Sequence, residues 1–267
     1  MLFLSFLIFL FFIFFSFARV CEAEEQSSAS ATATASSLPY TQLKGPITSD
    51  FQEWLKKNGY DRLHLEKLVA NPQNSYGGRQ FEGQTLKNRP VIFIHGNSDG
   101  ALAQGDEEWA QGWSANIEYF LNNGYSSAEM YAITYGNRNL TYAMNRVSLQ
   151  AVLQYTGFQY VDIVAHSMGV TIARIIIQGK TFSEAGKGCH ASSVVTEALH
   201  IQTNASNHLK VSIWSKNDTV LGATNLAWGH QTSLIPFSDR SIVCDGPSHF
   251  ALKWATLEDQ LAILRQQ

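Results

Sequence analysis

Three stretches of nearly continuous apolar residues, PVIFIHG (Pro90 to Gly96), EMYAITY (Glu129 to Tyr135) and YVDIVA (Tyr160 to Ala165), are separated by segments with a helical repeat. A short run that is apolar at almost every position predicts a strand buried on both faces, because a half-exposed strand would alternate. Between the first two, Trp113, Ile117, Phe120 and Leu121 fall on one side of a helix. Val147, Leu149, Val152 and Leu153 suit a helix after the second, and GVTIARIIIQG a helix after the third. KVSIWS (Lys210 to Ser215) reads as a later strand, and Trp254, Leu257, Leu261 and Leu264 as a closing amphipathic helix. Strands alternating with helices predict an α/β fold, a mainly parallel sheet with helices on both faces. Ligands of such sheets bind beyond the carboxyl ends of the strands, so the residues just after each strand are where chemistry is expected.

The 267-residue chain suits one α/β domain with additions. Residues Met1 to Ala18 are almost wholly Phe, Leu and Ile, and small residues follow at Cys21 and Ala23. We read residues 1–23 as a signal peptide; the rival is an uncleaved anchor that tethers the protein to a membrane. EEQSSASATATASSLP (Glu24 to Pro39) has no apolar face to bury and reads as a linker, which leaves residues 40–267 as the domain. Export would leave two cysteines, Cys189 and Cys244, open to one disulfide or to two buried thiols. It would also expose two glycosylation sequons, at Asn139 and Asn204. A net charge of −3, from 19 basic and 22 acidic residues, offers no attraction to nucleic acid. The ligand implied is small and not strongly charged.

Ser167 lies where the fold predicts chemistry, between a strand and a helix in YVDIVAHSMGV. A small-x-Ser-x-Gly sequence alone is common by chance, and a helix-capping serine is its plain reading. The strand before and the helix after point instead to a nucleophile on a sharp turn, with Ala165 and Gly169 small because the two backbones pass closely. Such a turn exposes Oγ and leaves the N–H of Met168 at a helix N-terminus, ready for an oxyanion. The second oxyanion donor is expected from HGNSDG after the first strand, where Gly96 permits close approach and the N–H of Asn97 is the group assigned. A base and its orienting acid should follow the serine in the order acid, histidine. His249, in the turn-rich DGPSHFALK before the last helix, is the expected base. Asp218, just after KVSIWS, is the expected acid. Asp239 and Asp245 look like turn residues, Asp162 precedes the serine, and His95 and His166 are read as packing residues, His166 pointing away from the pocket. No metal-ligand spacing and no nucleotide-binding glycine motif occurs, so neither metal nor cofactor is implied.

With VIFIHGN, VDIVAHSMG, SIWSKND and PSHF in that order, the chain resembles the class 2 lipases, secreted triacylglycerol lipases of the α/β-hydrolase superfamily, over about residues 44 to 264. The A-H-S-M-G turn is typical of that group, and EWAQGWSANIEYFLNNGYSSAEMYAITYGN and LAWGHQTSLIP resemble its nematode branch. The resemblance implies Ser167 as nucleophile, Asp218 as acid, His249 as base and an acyl-lipid substrate. One stretch departs: where the family has another buried strand, this chain has ASSVVTEALHIQTN, with Glu197 and His200 in an apolar setting, so one central strand is altered. Two alternatives follow, an inactive lipase-like protein that binds lipid, and a short-chain carboxylesterase or thioesterase.

Overall fold

A computed structural model describes residues 43–45, 47–60, 75–97, 99–134, 149–177, 209–221, 226–227, 230–231 and 238–266. The expected signal peptide and linker, the altered stretch, both sequons and Cys189 lie outside these residues. Val147 does too.

The chain runs through α1 (Ser49–Lys57), β1 (Ser75–Tyr76), β2 (Val91–Ile94), α2 (Ser114–Asn122), β3 (Met130–Ile133), α3 (Leu149–Thr156), β4 (Asp162–Ala165) and α4 (Met168–Ile177). It continues through β5 (Val211–Ser215), β6 (Leu226–Ala227), β7 (His230–Gln231), β8 (Arg240–Cys244), α5 (Leu252–Ala255) and α6 (Leu257–Leu264). One sheet has the order β1-β3-β2-β4, with β2 parallel to both β3 and β4 and the short β1 antiparallel at the edge. Among the described residues β5 and β8 form a second, parallel pair, and β6 and β7 a short antiparallel one. The protein is thus mixed α/β with mainly parallel strand pairing.

β2 shows why its sequence is apolar throughout. Val91 and Phe93 pack into a layer with Trp113, Ile117 and Phe120 around α2 and Leu261 and Leu264 of α6. Ile92 and Ile94 enter the opposite layer, with Phe51 and Leu55 of α1, Val152 and Tyr155 of α3 and Ile172 of α4. Helices therefore cover both faces of the larger sheet, as the unbroken apolar run required. The expected last helix is two: α5 ends at Ala255, Thr256 leaves helical geometry at φ −121° and ψ 28°, and α6 starts after it. α1 was not predicted. Its signals are local, with the Thr48 hydroxyl accepting the Phe51 N–H at 3.3 Å, Asp50 in the first turn and Lys56 and Lys57 in the last.

Candidate active site

Ser167 occupies the step from β4 to α4 and, among the described residues, is the non-glycine residue with positive φ, at 55°. A side chain held there is strained, and the strain keeps the hydroxyl out of the helix that follows. The turn is fixed by its neighbours. His166 N–H donates to the Ile94 carbonyl at 3.1 Å and Gly169 N–H to the His166 carbonyl at 2.8 Å. A Cβ on Gly169 would lie 2.3 Å from the Ile94 carbonyl oxygen and 2.6 Å from that of His95, so the helix can pass this close to β2 only with glycine. A Cβ on Gly96 would meet Ser167 Cβ at 2.9 Å. The loop bearing Asn97 is thereby set beside the serine, and Met168 is the first residue of α4.

Asp218 and His249 meet because β5 and β8 are paired in register, Ser215 opposite Cys244. Two parallel strands ending together release their loops at one edge. The Ser215 hydroxyl donates to the Pro247 carbonyl at 2.6 Å, and Lys216 N–H to the Cys244 carbonyl at 2.8 Å, which sews the loops to each other. His249 Nδ1 then lies 2.7 Å from Asp218 Oδ2, with both side chains buried. The carboxylate's other oxygen, Oδ1, accepts the N–H groups of Val220 and Leu221 at 3.0 and 2.9 Å. A buried carboxylate on Nδ1 fixes the tautomer whose Nε2 carries a lone pair, the form able to take a proton from a hydroxyl.

The competing acids are placed elsewhere. Asp239 and Asp245 are exposed and pair with Lys210 at 3.3 Å and Lys216 at 2.7 Å. Asp162 is buried at the start of β4 and pairs with Arg89 at 3.1 Å, at the far end of the sheet from Ser167.

The other two described imidazoles near the serine are buried as well. His95 is buried with Nδ1 against the Gly96 carbonyl at 2.7 Å, and burial pushes it down to about 4. His166 is displaced well below its ordinary value, first by burial and then by the positive Lys253. Both stay neutral at neutral pH. His166 does not simply point away from the site, as its place in the turn had suggested. Its Nε2–H donates to the His249 carbonyl at 2.8 Å, and the two rings lie 4.7 Å apart between centroids. The residue preceding Ser167 thus supports the expected base from below.

Sequence reasoning missed three supports of the His249 loop. The Ser248 hydroxyl donates to Glu108 at 2.8 Å, His166 holds the His249 carbonyl, and Lys253 pairs with Asp99. Nothing local in the sequence marks such pairings across more than 80 residues. Among the described residues no group of three or more His, Cys, Asp or Glu side chains is placed to hold a metal, and no helix is long and apolar enough to cross a membrane.

A strand-turn-helix serine and a buried acid-histidine pair, on a mainly parallel α/β scaffold, are the parts from which a hydrolase site is built. The chain matches the model of the lipase (class 2) family over residues 88–202 and 183–262, and it belongs to that family. The two matched pieces overlap over residues 183–202, which take in most of the stretch that departs from the family pattern. Parts of the chain are also similar to DNA ligases of Francisella tularensis subsp. novicida (strain U112), at 25% identity over 43% of this chain and 20% of the ligase, and of Francisella philomiragia, at 24% over the same shares. The chain spans about a fifth of the length of those ligases. So distant and partial a likeness carries no argument about activity.

Proposed function

We propose that the chain is a secreted serine ester hydrolase of α/β-hydrolase fold, a lipase cleaving acylglycerol esters through an acyl-enzyme on Ser167. The observation that carries this reading is the buried 2.7 Å contact of His249 Nδ1 with Asp218 Oδ2, with Ser167 next in the chain to the imidazole that holds the His249 carbonyl. Family membership supports ester chemistry and a lipid substrate. In the first half-reaction His249 Nε2 takes the Ser167 proton as Oγ bonds to the ester carbonyl carbon. Asp218 holds the ring and stabilises the imidazolium. The N–H groups of Asn97 and Met168 stabilise the oxyanion, and the alcohol leaves with the proton from His249. Water, deprotonated by the same imidazole, then releases the acid. Residues 1–23 act as the export signal and residues 24–39 as a linker to the domain at 40–267. The stretches 108–137 and 226–236 support a place in the nematode-type branch.

The test is expression of the full chain in a eukaryotic secretory host, with the medium assayed on triacylglycerol emulsions and on soluble esters. The expected result is a secreted protein whose N-terminus lies near Glu24 and whose rate rises once the substrate forms an interface. Cleavage of soluble short-chain esters or thioesters alone would replace the lipase with a carboxylesterase or thioesterase. A folded, secreted protein that binds lipid and cleaves nothing would make it an inactive lipid-binding relative.

A further inference from the structure

A buried ion pair joins the loop that carries Asn97 to the helix that follows His249. Asp99 stands two residues after Asn97 and Lys253 four after His249, in α5. Lys253 Nζ donates to Asp99 Oδ2, and the two side chains are 1% and 4% exposed. Oδ1 of the same carboxylate accepts the N–H of Gly100 at 2.8 Å and of Gly112 at 2.9 Å. One oxygen therefore fixes the carboxylate to its own loop and the other fixes it to α5. The ammonium lies 5.8 Å from the ring centroids of both Trp113 and Trp254, within cation–π range. The Lys253 carbonyl accepts from Asn116 Nδ2 at 2.9 Å and Gln260 Nε2 at 2.7 Å, which ties α5 to α2 and α6.

Stability is a poor account of this pair. Desolvating two charges offsets most of their attraction, and packed apolar residues of similar volume stabilise as well or better. An ion pair anchored by three hydrogen bonds differs from apolar packing in fixing a distance and a direction. Here the two backbones so fixed carry the expected oxyanion donor and the expected base.

We propose that Asp99 and Lys253 are positioning residues whose ion pair holds the Asn97 amide and the His249 imidazole in mutual register for acyl transfer. The inference rests on the ester-hydrolase reading and deepens it. Neither side chain touches the reacting atoms. An ester carbonyl needs less from the Asn97 N–H than the tetrahedral oxyanion does, so loosening the loop costs turnover more than substrate binding.

Asp99→Asn keeps an acceptor oxygen for Gly100 and Gly112 and removes the charge. Asp99→Asn combined with Lys253→Met removes both charges, leaves no buried ion unpaired, and serves where the single variant does not fold. Both are assayed as the full secreted chain on a soluble ester, beside wild type treated with a fluorophosphonate. We expect kcat to fall about a hundredfold in each, with KM within about twofold of wild type. Affinity for a trifluoromethyl ketone transition-state analogue should fall in parallel with kcat/KM, a correlation that loss of bulk stability would not produce. A folded double variant with wild-type kcat overturns the positioning role and leaves the hydrolase standing. Failure of both variants to fold assigns the pair to stability and also overturns it. A folded wild type that neither reacts with the fluorophosphonate nor cleaves the ester overturns both readings.

Discussion

Oδ1 of Asp218 is occupied by two main-chain N–H groups, at 3.0 and 2.9 Å, which leaves Oδ2 committed to His249. An asparagine of the same shape could keep the first role with its oxygen, but it would offer N–H₂ to His249 Nδ1 and turn the imidazole to the other tautomer. Nε2 would then carry the proton it should accept. Asp218→Asn is therefore expected to lower kcat for ester cleavage by about 10⁴-fold. Steady-state kinetics on a soluble ester, with urea unfolding to verify folding, checks this; a loss under tenfold in a folded variant would remove Asp218 from the mechanism. At the same scale, the neutrality of His95 and His166 has a use. Burial disfavours the charged form of both, outweighing the pull of Asp99 on His95, so the proton released by Ser167 has His249, paired with Asp218, as its favoured acceptor.

Among the elements, those that position Ser167 were legible because their signals are local. VIFI is apolar on both faces because β2 feeds two opposed layers, and the stretch Y-V-D-I-V-A ends as β4 where the small residues begin. Gly169 illustrates how a motif becomes geometry: it is small because the Ile94 carbonyl oxygen leaves no room for a Cβ. S-I-V-C, the end of β8, carries no strand signal of its own, since its partner in β5 lies 29 residues earlier and pairing register is not written in either strand. α1 escaped notice because its apolar stripe is narrow, Phe51 and Leu55 in a mostly polar segment. The closing helix was read as one because its apolar spacing carries on past Thr256, whereas the break is made by backbone geometry there. Asp218 could be chosen because it follows a strand-like run, and His249 because it lies in a turn-rich loop before the last helix, both in the required order. Asp99 and Lys253 could not be paired, 154 residues apart, since each alone looks like an ordinary loop or helix charge.

For the whole molecule, buried neutral histidines tie stability to pH. A histidine whose folded value lies below 6.5 favours the native state while it is uncharged. That contribution is full above 6.5 and is lost as pH falls toward the folded value, because the unfolded chain binds the proton first. With His95 at about 4, lowering the pH from 7 to 5 is expected to cost roughly 2 kcal/mol from this residue alone. His166 acts in the same direction. Against a domain stability of about 5–15 kcal/mol that is a large share. Urea midpoints measured across this range should fall with pH, and a flat profile would contradict the burial of these two imidazoles. The larger claim at this scale is that two separately paired groups of strands act as one site. Ser167 comes from the sheet built on β2, and Asp218 and His249 come from the β5–β8 pair. The most direct measurement is mass spectrometry of the folded, secreted protein after fluorophosphonate treatment, comparing wild type with His249→Ala. An assembled site predicts one label, on Ser167, formed rapidly in wild type and at least about a thousandfold more slowly in the variant. A folded wild type that takes no label at Ser167, or one labelled equally fast without His249, would contradict it.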